Sequence, residues 1–391
     1  MPKHIKAEEL DRLDTLSDDT FRLEVREWIE TNYPPGMIRY PSRRLFWHEN
    51  REWFMRLSAK GWIAPSWPRE HGGMGLSGTR QLIMIEEMER FGAGRVNDQG
   101  LVMLGPLLIR HGSEPQKAFF LPRILSGEHV WAQAYSEPGA GSDLASLRLA
   151  ASDQGDHWLL NGQKTWITLG TDANWVFVLA RTSNDGKKQE GISFLVLPVD
   201  TPGLTVRGIT NLDMHEEFAE MFFENVRVPK DRVVGEINKG WTYAKALLGF
   251  ERIAIGSPKL SSSGLVQLKQ LADEVGVADD PAFQASYTRF QLDLVDSKAL
   301  YASIVGAVKR GETPNAQISV LKIVQTELFQ RITETMVAIG GGHAGRFEPI
   351  DESGLHPSGQ FLLARPATIF GGSSEILRNV LARNELGMPA R

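Results

Sequence analysis

Cysteine is absent from the 391 residues. Its absence excludes disulfides, thiolate metal sites and a cysteine nucleophile, and it suits a reducing compartment. Long apolar runs are missing too. The most apolar stretch, Leu101 to Ile109, is interrupted by Gly105 and Pro106 and falls well short of the roughly 18 residues that a membrane-spanning helix needs. Basic residues are not in excess: 43 Lys and Arg against 48 Asp and Glu leave a net charge of −5, which offers no footprint for nucleic acid. The nine histidines form no His-x-x-x-His or His-Glu-x-x-His pattern, so no metal is expected. The opening Met-Pro-Lys-His-Ile-Lys-Ala-Glu-Glu-Leu carries acids and lacks the apolar core of a secretory signal. The expectation is a soluble, cytoplasmic protein.

What is present divides into three parts. Phe21, Val25, Trp28 and Ile29 fall at helical spacing after Asp18-Asp19, and Pro34-Pro35-Gly36 stops that segment. Arg51 to Ala59, Arg80 to Phe91 and Pro115 to Leu125 are further helical segments separated by Gly and Pro breaks. The pattern then changes to short β-branched and aromatic runs at Trp158–Leu160, Lys164–Thr168, Trp175–Arg181, Gly191–Val199 and Met221–Glu224, with Asn161-Gly162 as a hairpin-turn signal. Such spacing predicts a small barrel or sandwich. Helical spacing returns over Gly240–Gln270, Phe283–Arg310, Pro314–Ile339 and Ser374–Leu386, lengths suited to an antiparallel four-helix bundle. A long Gly-, His- and Pro-rich loop at about 340–372 separates the last two helices, and loops of that length are often functional. His343 and His356 within it either line a pocket or are solvated. The expected organisation is α+β multidomain: an N-terminal α-helical domain over 1–128, a middle β-barrel over 129–236 and a C-terminal bundle over 237–391.

Two stretches carry the chemistry. The first, Trp131 to Asp143, reads Trp-Ala-Gln-Ala-Tyr-Ser-Glu-Pro-Gly-Ala-Gly-Ser-Asp and gathers hydroxyl and backbone donors in one turn-rich loop. The second, Asn161-Gly-Gln-Lys-Thr-Trp-Ile-Thr168, ends in an aromatic strand. A donor-rich loop beside an aromatic strand end suits a flat heteroaromatic ring. Each stretch alone also reads as an ordinary β-turn, and Trp166 as a buried barrel aromatic.

Taken together, and with Gly72-Gly73 and Ile369-Phe-Gly-Gly-Ser-Ser-Glu-Ile376, these stretches resemble the acyl-CoA dehydrogenase family over nearly the whole chain. Ser136 stands where the family usually has Thr, and both hydroxyls can donate. The resemblance implies FAD as cofactor and an acyl-CoA thioester as substrate. The implied reaction removes the α-proton and passes the β-hydrogen as hydride to flavin N5.

That reaction needs a carboxylate base in a dry pocket and donors where enolate charge develops. Many members carry the base in a C-terminal Tyr-Glu-Gly-Thr motif. This chain reads Phe370-Gly371-Gly372-Ser373 there, so that carboxylate is missing. A subgroup instead uses a Glu-Arg pair on the first long helix of the C-terminal domain, which Glu251-Arg252 matches. Spacing alone puts Glu251 on a face marked by Ala244, Leu247, Leu248 and Ile255, where a carboxylate is either buried with a partner or functional.

Carried over residue by residue, Gln133, Tyr135 and Ser136 contact the flavin ring or its edge, and Gly141 and Ser142 lie near the flavin or the CoA. Trp166, Ile167 and Thr168 line the ring near N5. Ile369, Phe370, Ser373 and Glu375 cover it from the C-terminal side. Gly371 offers its N–H to the thioester oxygen beside a ribityl hydroxyl, and Arg252 orients the base or the CoA. Ser373 also reads, unaided, as a helix cap.

Two departures bear on assembly. Typical homotetrameric members carry an Arg-x-x-Phe-Gly and a Gln-x-x-Gly-Gly that hold a neighbour's FAD. Val275 to Phe283 contains no arginine, and Val337 replaces the Gln. This pattern looks like the catalytic subunits of heteromeric members that act on steroid side chains or pimeloyl-CoA. The implied partners are an electron-transferring flavoprotein and either a second copy of the chain or a paralogous subunit. The alternatives are a non-catalytic structural subunit and a flavin oxidase or monooxygenase on the same fold.

Overall fold

The computed structural model describes residues 7–39, 41, 43–310, 312, 315–346 and 355–389, with the side chains of 246, 248–254, 308, 309 and 315 lying outside the description. The chain forms two compact units, Met1–Leu247 and Leu248–Arg391. The first opens with α1 (Ala7–Thr15), α2 (Asp18–Asn32), α3 (Trp47–Lys60), α4 (Gly78–Phe91), α5 (Gly105–His111) and α6 (Glu114–Ser126). Ser17, Ser77 and Ser113 start α2, α4 and α6 by accepting an amide hydrogen of the first turn. Gly61, Gly92 and Gly127 end α3, α4 and α6 in the left-handed conformation.

The apolar stretch around Gly105 and Pro106 is helical throughout. A π-helical turn, Gln99–Leu104, runs straight into α5: the Gly105 amide donates to Gly100 O, and Pro106, which has no N–H, leaves a carbonyl of the preceding turn open to another donor. Trp67 fixes this turn. Its indole N–H donates to Leu101 O at 2.7 Å, and its ring packs so close that a Cβ on Gly105 would lie 1.8 Å from it.

One sheet follows, made of β1 (Trp131–Ala134), β2 (Ala150–Asp153), β3 (His157–Thr168), β4 (Trp175–Arg181), β5 (Ile192–Pro198), β6 (Leu204–Ile209) and β7 (Phe218–Pro229). β4 pairs antiparallel with β5 on one edge and parallel with β1 and the start of β2 on the other; β3, β7 and β6 continue from β2. Both faces of β4 are buried. Trp175, Phe177 and Leu179 join the core of the N-terminal helices, whereas Val176, Val178 and Ala180 line the inside of the half-barrel. The continuous apolar run of this strand has that cause.

Asn161-Gly162 does not turn the chain. β3 runs straight through it, with a bulge against β7 between Leu160 and Gly162. The dipeptide supplies a positive φ that a bulge uses as readily as a hairpin does. Gly162 also lies so near β2 that a Cβ would come within 3.0 Å of Leu149 Cα. Asn161 Oδ1 accepts the Asn225 amide at 2.9 Å, which pins the register.

α7 (Gly240–Ile255) begins in the first unit, where Tyr243, Ala244 and Leu247 complete its core, and ends in the second. The single helix expected over 240–270 is two, because Pro258 interrupts it before α8 (Lys259–Glu274). α9 (Pro281–Lys309), α10 (Asn315–Ile339), α11 (Pro357–Ala364) and α12 (Ser374–Asn384) follow, and α8, α9, α11 and α12 all pack on α10. The long segment 340–372 is therefore not a bare loop: it holds α11 and 3₁₀ turns at Gly341–Gly345 and Arg365–Thr368. Among the described residues, no helix is long and apolar enough to cross a membrane.

Candidate active site

In the first unit the loop after β1 is stitched to β3 from beneath. Glu137, buried, accepts the amides of Arg148 at 2.7 Å and Leu149 at 2.8 Å and the Lys164 ammonium at 2.9 Å. Lys164 is fully buried and donates a second bond to Tyr135 O at 2.9 Å. Burial pushes its ammonium down to about 8, against the opposing pull of Glu137. The Thr165 amide reaches Ser136 O at 2.9 Å. Neither Glu137 nor Lys164 was assigned a role from sequence. Their signal was opposite charges, one in each motif stretch, each flanked by uncharged neighbours.

The end of β3 is irregular where the chemistry is expected. Register slips between Lys164 and Ile167, Trp166 takes φ 59°, and its indole is 60% exposed with its ring edge-on to Phe218. Trp166 is therefore not a buried barrel aromatic. A bulky residue in the left-handed region is uncommon, and such positions gather at functional sites.

Two of the expected flavin contacts are core side chains. Ile167 is wholly buried inside the half-barrel, and the Tyr135 ring packs at 5.9 Å from Phe177 and 6.4 Å from Phe194. The Thr168 carbonyl accepts Gln99 Nε2 at 3.4 Å, so the π-helical turn touches the end of β3, a contact for which the sequence carries no signal. Gln99 Oε1 and Gln133 Nε2 are buried with no partner among the described residues. Gly141 and Ser142 are exposed, and Asp143 beside them pairs with Lys188 at 2.7 Å.

In the second unit the Gly371-Gly372 pair turns the chain with φ 67° and 100°. A Cβ on Gly371 would lie 2.5 Å from Cδ1 of Ile255, so that methyl occupies the space a side chain at 371 would need. Ile255 stands four residues after Glu251 and hence on the same face of α7. The side chains of Glu251 and Arg252 themselves lie outside the described residues. Ser373 caps α12 by accepting the Ile376 amide at 3.3 Å, and Lys322 Nζ donates to Gly372 O at 3.0 Å. Its own amide and the Ser373 hydroxyl hold the Glu375 carboxyl below the usual range. Ile369 and Phe370 are exposed.

The arginine missing from 275–283 has a neighbour. Asp280 caps the start of α9 through the amides of Ala282 and Phe283. Within two turns of that start, a groove of about 380 Å³ between α9 and the end of α10 is lined by Ser286, Arg289, Phe290, Arg331, Glu334 and Thr335. Arg331 is bonded to Asp293 at 2.7 Å, and Arg289 is exposed. His356, at the foot of α11, is partly buried, and burial lowers its pKa.

The described residues fit a flavin. An orphaned buried amide donor at Gln133 and a solvent-facing indole at Trp166 offer a donor and a flat apolar surface to a heteroaromatic ring. Domain models of acyl-CoA dehydrogenases match the chain in order: the N-terminal domain over 15–128, the middle domain over 132–226 and the C-terminal domain over 238–386. The acyl-CoA dehydrogenase IpdE1 of Mycobacterium tuberculosis is 36% identical over 388 residues, covering 95% of this chain and 98% of that protein. IpdE1 of Mycolicibacterium smegmatis is 34% identical, covering 94% and 97%. Among solved structures, the Tcur3481-Tcur3483 steroid ACAD superposes with a TM-score of 0.86 at 29% identity, covering 96% of this chain and 98% of that one. The ChsE4-ChsE5 complex from Mycobacterium tuberculosis gives 0.82 at 28%, with the same coverage.

Proposed function

We propose, since the chain belongs to the acyl-CoA dehydrogenase family, that it is an FAD-dependent acyl-CoA dehydrogenase whose base is Glu251. The contact of Ile255 with Gly371 carries this reading. It packs the glycine turn, where other members keep their carboxylate, against the helix face that bears Glu251 one turn earlier. A side chain at 371 would meet both the methyl and a left-handed backbone, which supports a base supplied from α7 instead.

In this reading Glu251 takes the α-proton, and the Gly371 N–H donates to the thioester oxygen as enolate charge develops there. Trp166 would cover the ring, Gln133 Nε2 would donate to its edge, and Ser142 and Arg252 would hold the CoA. Arg289 offers the cation that a diphosphate requires. FAD, when bound, accepts the β-hydrogen as hydride. An electron-transferring flavoprotein is the proposed acceptor. The two solved relatives, each named as a pair of proteins, support assembly with a paralogous chain.

Anaerobic titration with acyl-CoA thioesters tests this. Wild-type flavin bleaches, whereas Glu251→Gln keeps its flavin and bleaches about 10²- to 10⁴-fold more slowly. Bleaching of the variant at the wild-type rate would remove Glu251 from the mechanism.

A further inference from the structure

We infer, resting on the role given above to Ser142, that Arg181 is a positioning residue for the CoA end of the substrate: a clamp that fixes the loop bearing Ser142 against the loop that joins β4 to β5. Arg181 is the last residue of β4 and is partly buried. Its guanidinium meets four main-chain carbonyls from two separate segments. Nη2 donates to Ala145 O at 2.7 Å, Lys188 O at 3.0 Å and Leu147 O at 3.3 Å. Nη1 donates to Glu190 O at 2.7 Å, and Nε reaches Leu147 O at 3.4 Å.

A guanidinium presents its donors in a rigid planar fork, so acceptors that share one are held at fixed places around it. Here the fork grips main chain. Glu137, the acid whose field reaches it, is engaged by the amides of Arg148 and Leu149 and by Lys164. Those two amides follow directly on Leu147, so the segment 145–149 is held by its carbonyls from one side and by its amides from the other.

Each segment is stiff in itself. Ser146 returns its amide to Asp143 O at 3.0 Å and its hydroxyl to the Asp143 carboxylate at 2.5 Å. In the β4–β5 loop the Glu190 amide donates to Lys187 O at 2.8 Å, and Gly191 turns so tightly that a Cβ on it would lie 2.1 Å from Ser183 O. Between the segments, Lys188 Nζ reaches the Asp143 carboxylate at 2.7 and 2.8 Å. That pair is about half exposed, so solvent screens it and it contributes little alone. The deeper contact, Arg181, therefore sets the spacing. Ser142 adjoins Asp143 and lies three residues before Ala145, so a loosened clamp carries its hydroxyl away from the CoA. The Arg181 amide still donates to Leu149 O at 2.7 Å whatever its side chain, which leaves the strand pairing intact.

The test is steady-state kinetics of the FAD-loaded protein with a CoA thioester that bleaches its flavin, and with the N-acetylcysteamine thioester of the same acyl group, which lacks the pantoate and nucleotide. In Arg181→Lys the KM for the CoA thioester should rise about ten-fold with kcat within about two-fold, because a compact ammonium cannot span four carbonyls. The KM for the truncated thioester should stay within about two-fold, whereas a general defect of folding would move both substrates together. Ser142→Ala should raise the CoA KM in wild type and add little in Arg181→Lys, since the two act through one contact. Equal shifts for the two thioesters, or none, overturn the role of Arg181. If the variant fails to fold, hydrogen exchange of wild type decides: saturating CoA should slow exchange over 143–147 and 183–190 together, and slowing in one segment or neither overturns the coupling. A wild-type flavin that no CoA thioester bleaches would instead remove the dehydrogenase reading, and this inference with it.

Discussion

Among the described residues two lysines are fully buried, and they are used differently. Lys164, under the loop that follows β1, meets the carboxylate of Glu137 and the carbonyl of Tyr135. Lys322, in α10, meets the carbonyl of a glycine turn. The first is a rivet: carboxylate and ammonium fix each other, and the loop above inherits their rigidity. The second reaches a segment that has no side chains of its own. The same buried charge therefore anchors an ion pair in one unit and meets a backbone turn in the other.

The largest effect that would sharpen this contrast is on the rivet. Glu137→Ala strands the Lys164 ammonium and frees two amides, so unfolding free energy should drop by about 3–5 kcal/mol in denaturant titrations. Adding Lys164→Met to Glu137→Leu should recover most of that loss, since apolar pairs often replace buried ion pairs at no cost. A double variant as weak as the single one would mean that the carboxylate matters for the amides of Arg148 and Leu149, not for the lysine. A smaller effect belongs to the other unit. Ser373→Ala removes the cap of α12 and should cost about 1 kcal/mol in the same titrations. No loss would show that α12 does not depend on its cap.

The smallest effect concerns a third buried base. His129 packs against Trp131 and Trp175, and burial drops its pKa to about 4. Between the usual 6.5 and about 4 the unfolded chain binds a proton that the folded one refuses, so stability is full above that window and is lost as pH falls through it. His129→Phe should flatten the acid limb of the stability profile by up to about one proton's slope. An unchanged limb would show that the aromatic cluster accommodates the charged ring.

The parts of the sequence that could be read were those where local chemistry and tertiary packing agree. Ser373 announces a helix start because a cap is a contact within one turn of chain. The β4 run was legible because both of its faces are buried. Asn161-Gly162 misled because a bulge and a hairpin ask the same backbone of the same residues, and only the partner strand distinguishes them. Trp166 was open to two readings, since exposure depends on a slip of register two residues earlier. Tyr135 and Ile167 looked like ligand contacts from their place in a motif, yet both side chains belong to buried core clusters. Glu137 and Lys164 lie 27 residues apart, and no local pattern links them.

The two-sided burial of β4 also bears on how such a chain can vary over generations. Trp175, Phe177 and Leu179 serve one core while Val176, Val178 and Ala180 serve the other. Exchanging one apolar residue for another of similar bulk disturbs a single contact. Losing or gaining one residue in the strand would send every large ring to the inner core and every small side chain to the outer one. The composition of this segment is thus open to drift, but its length is not.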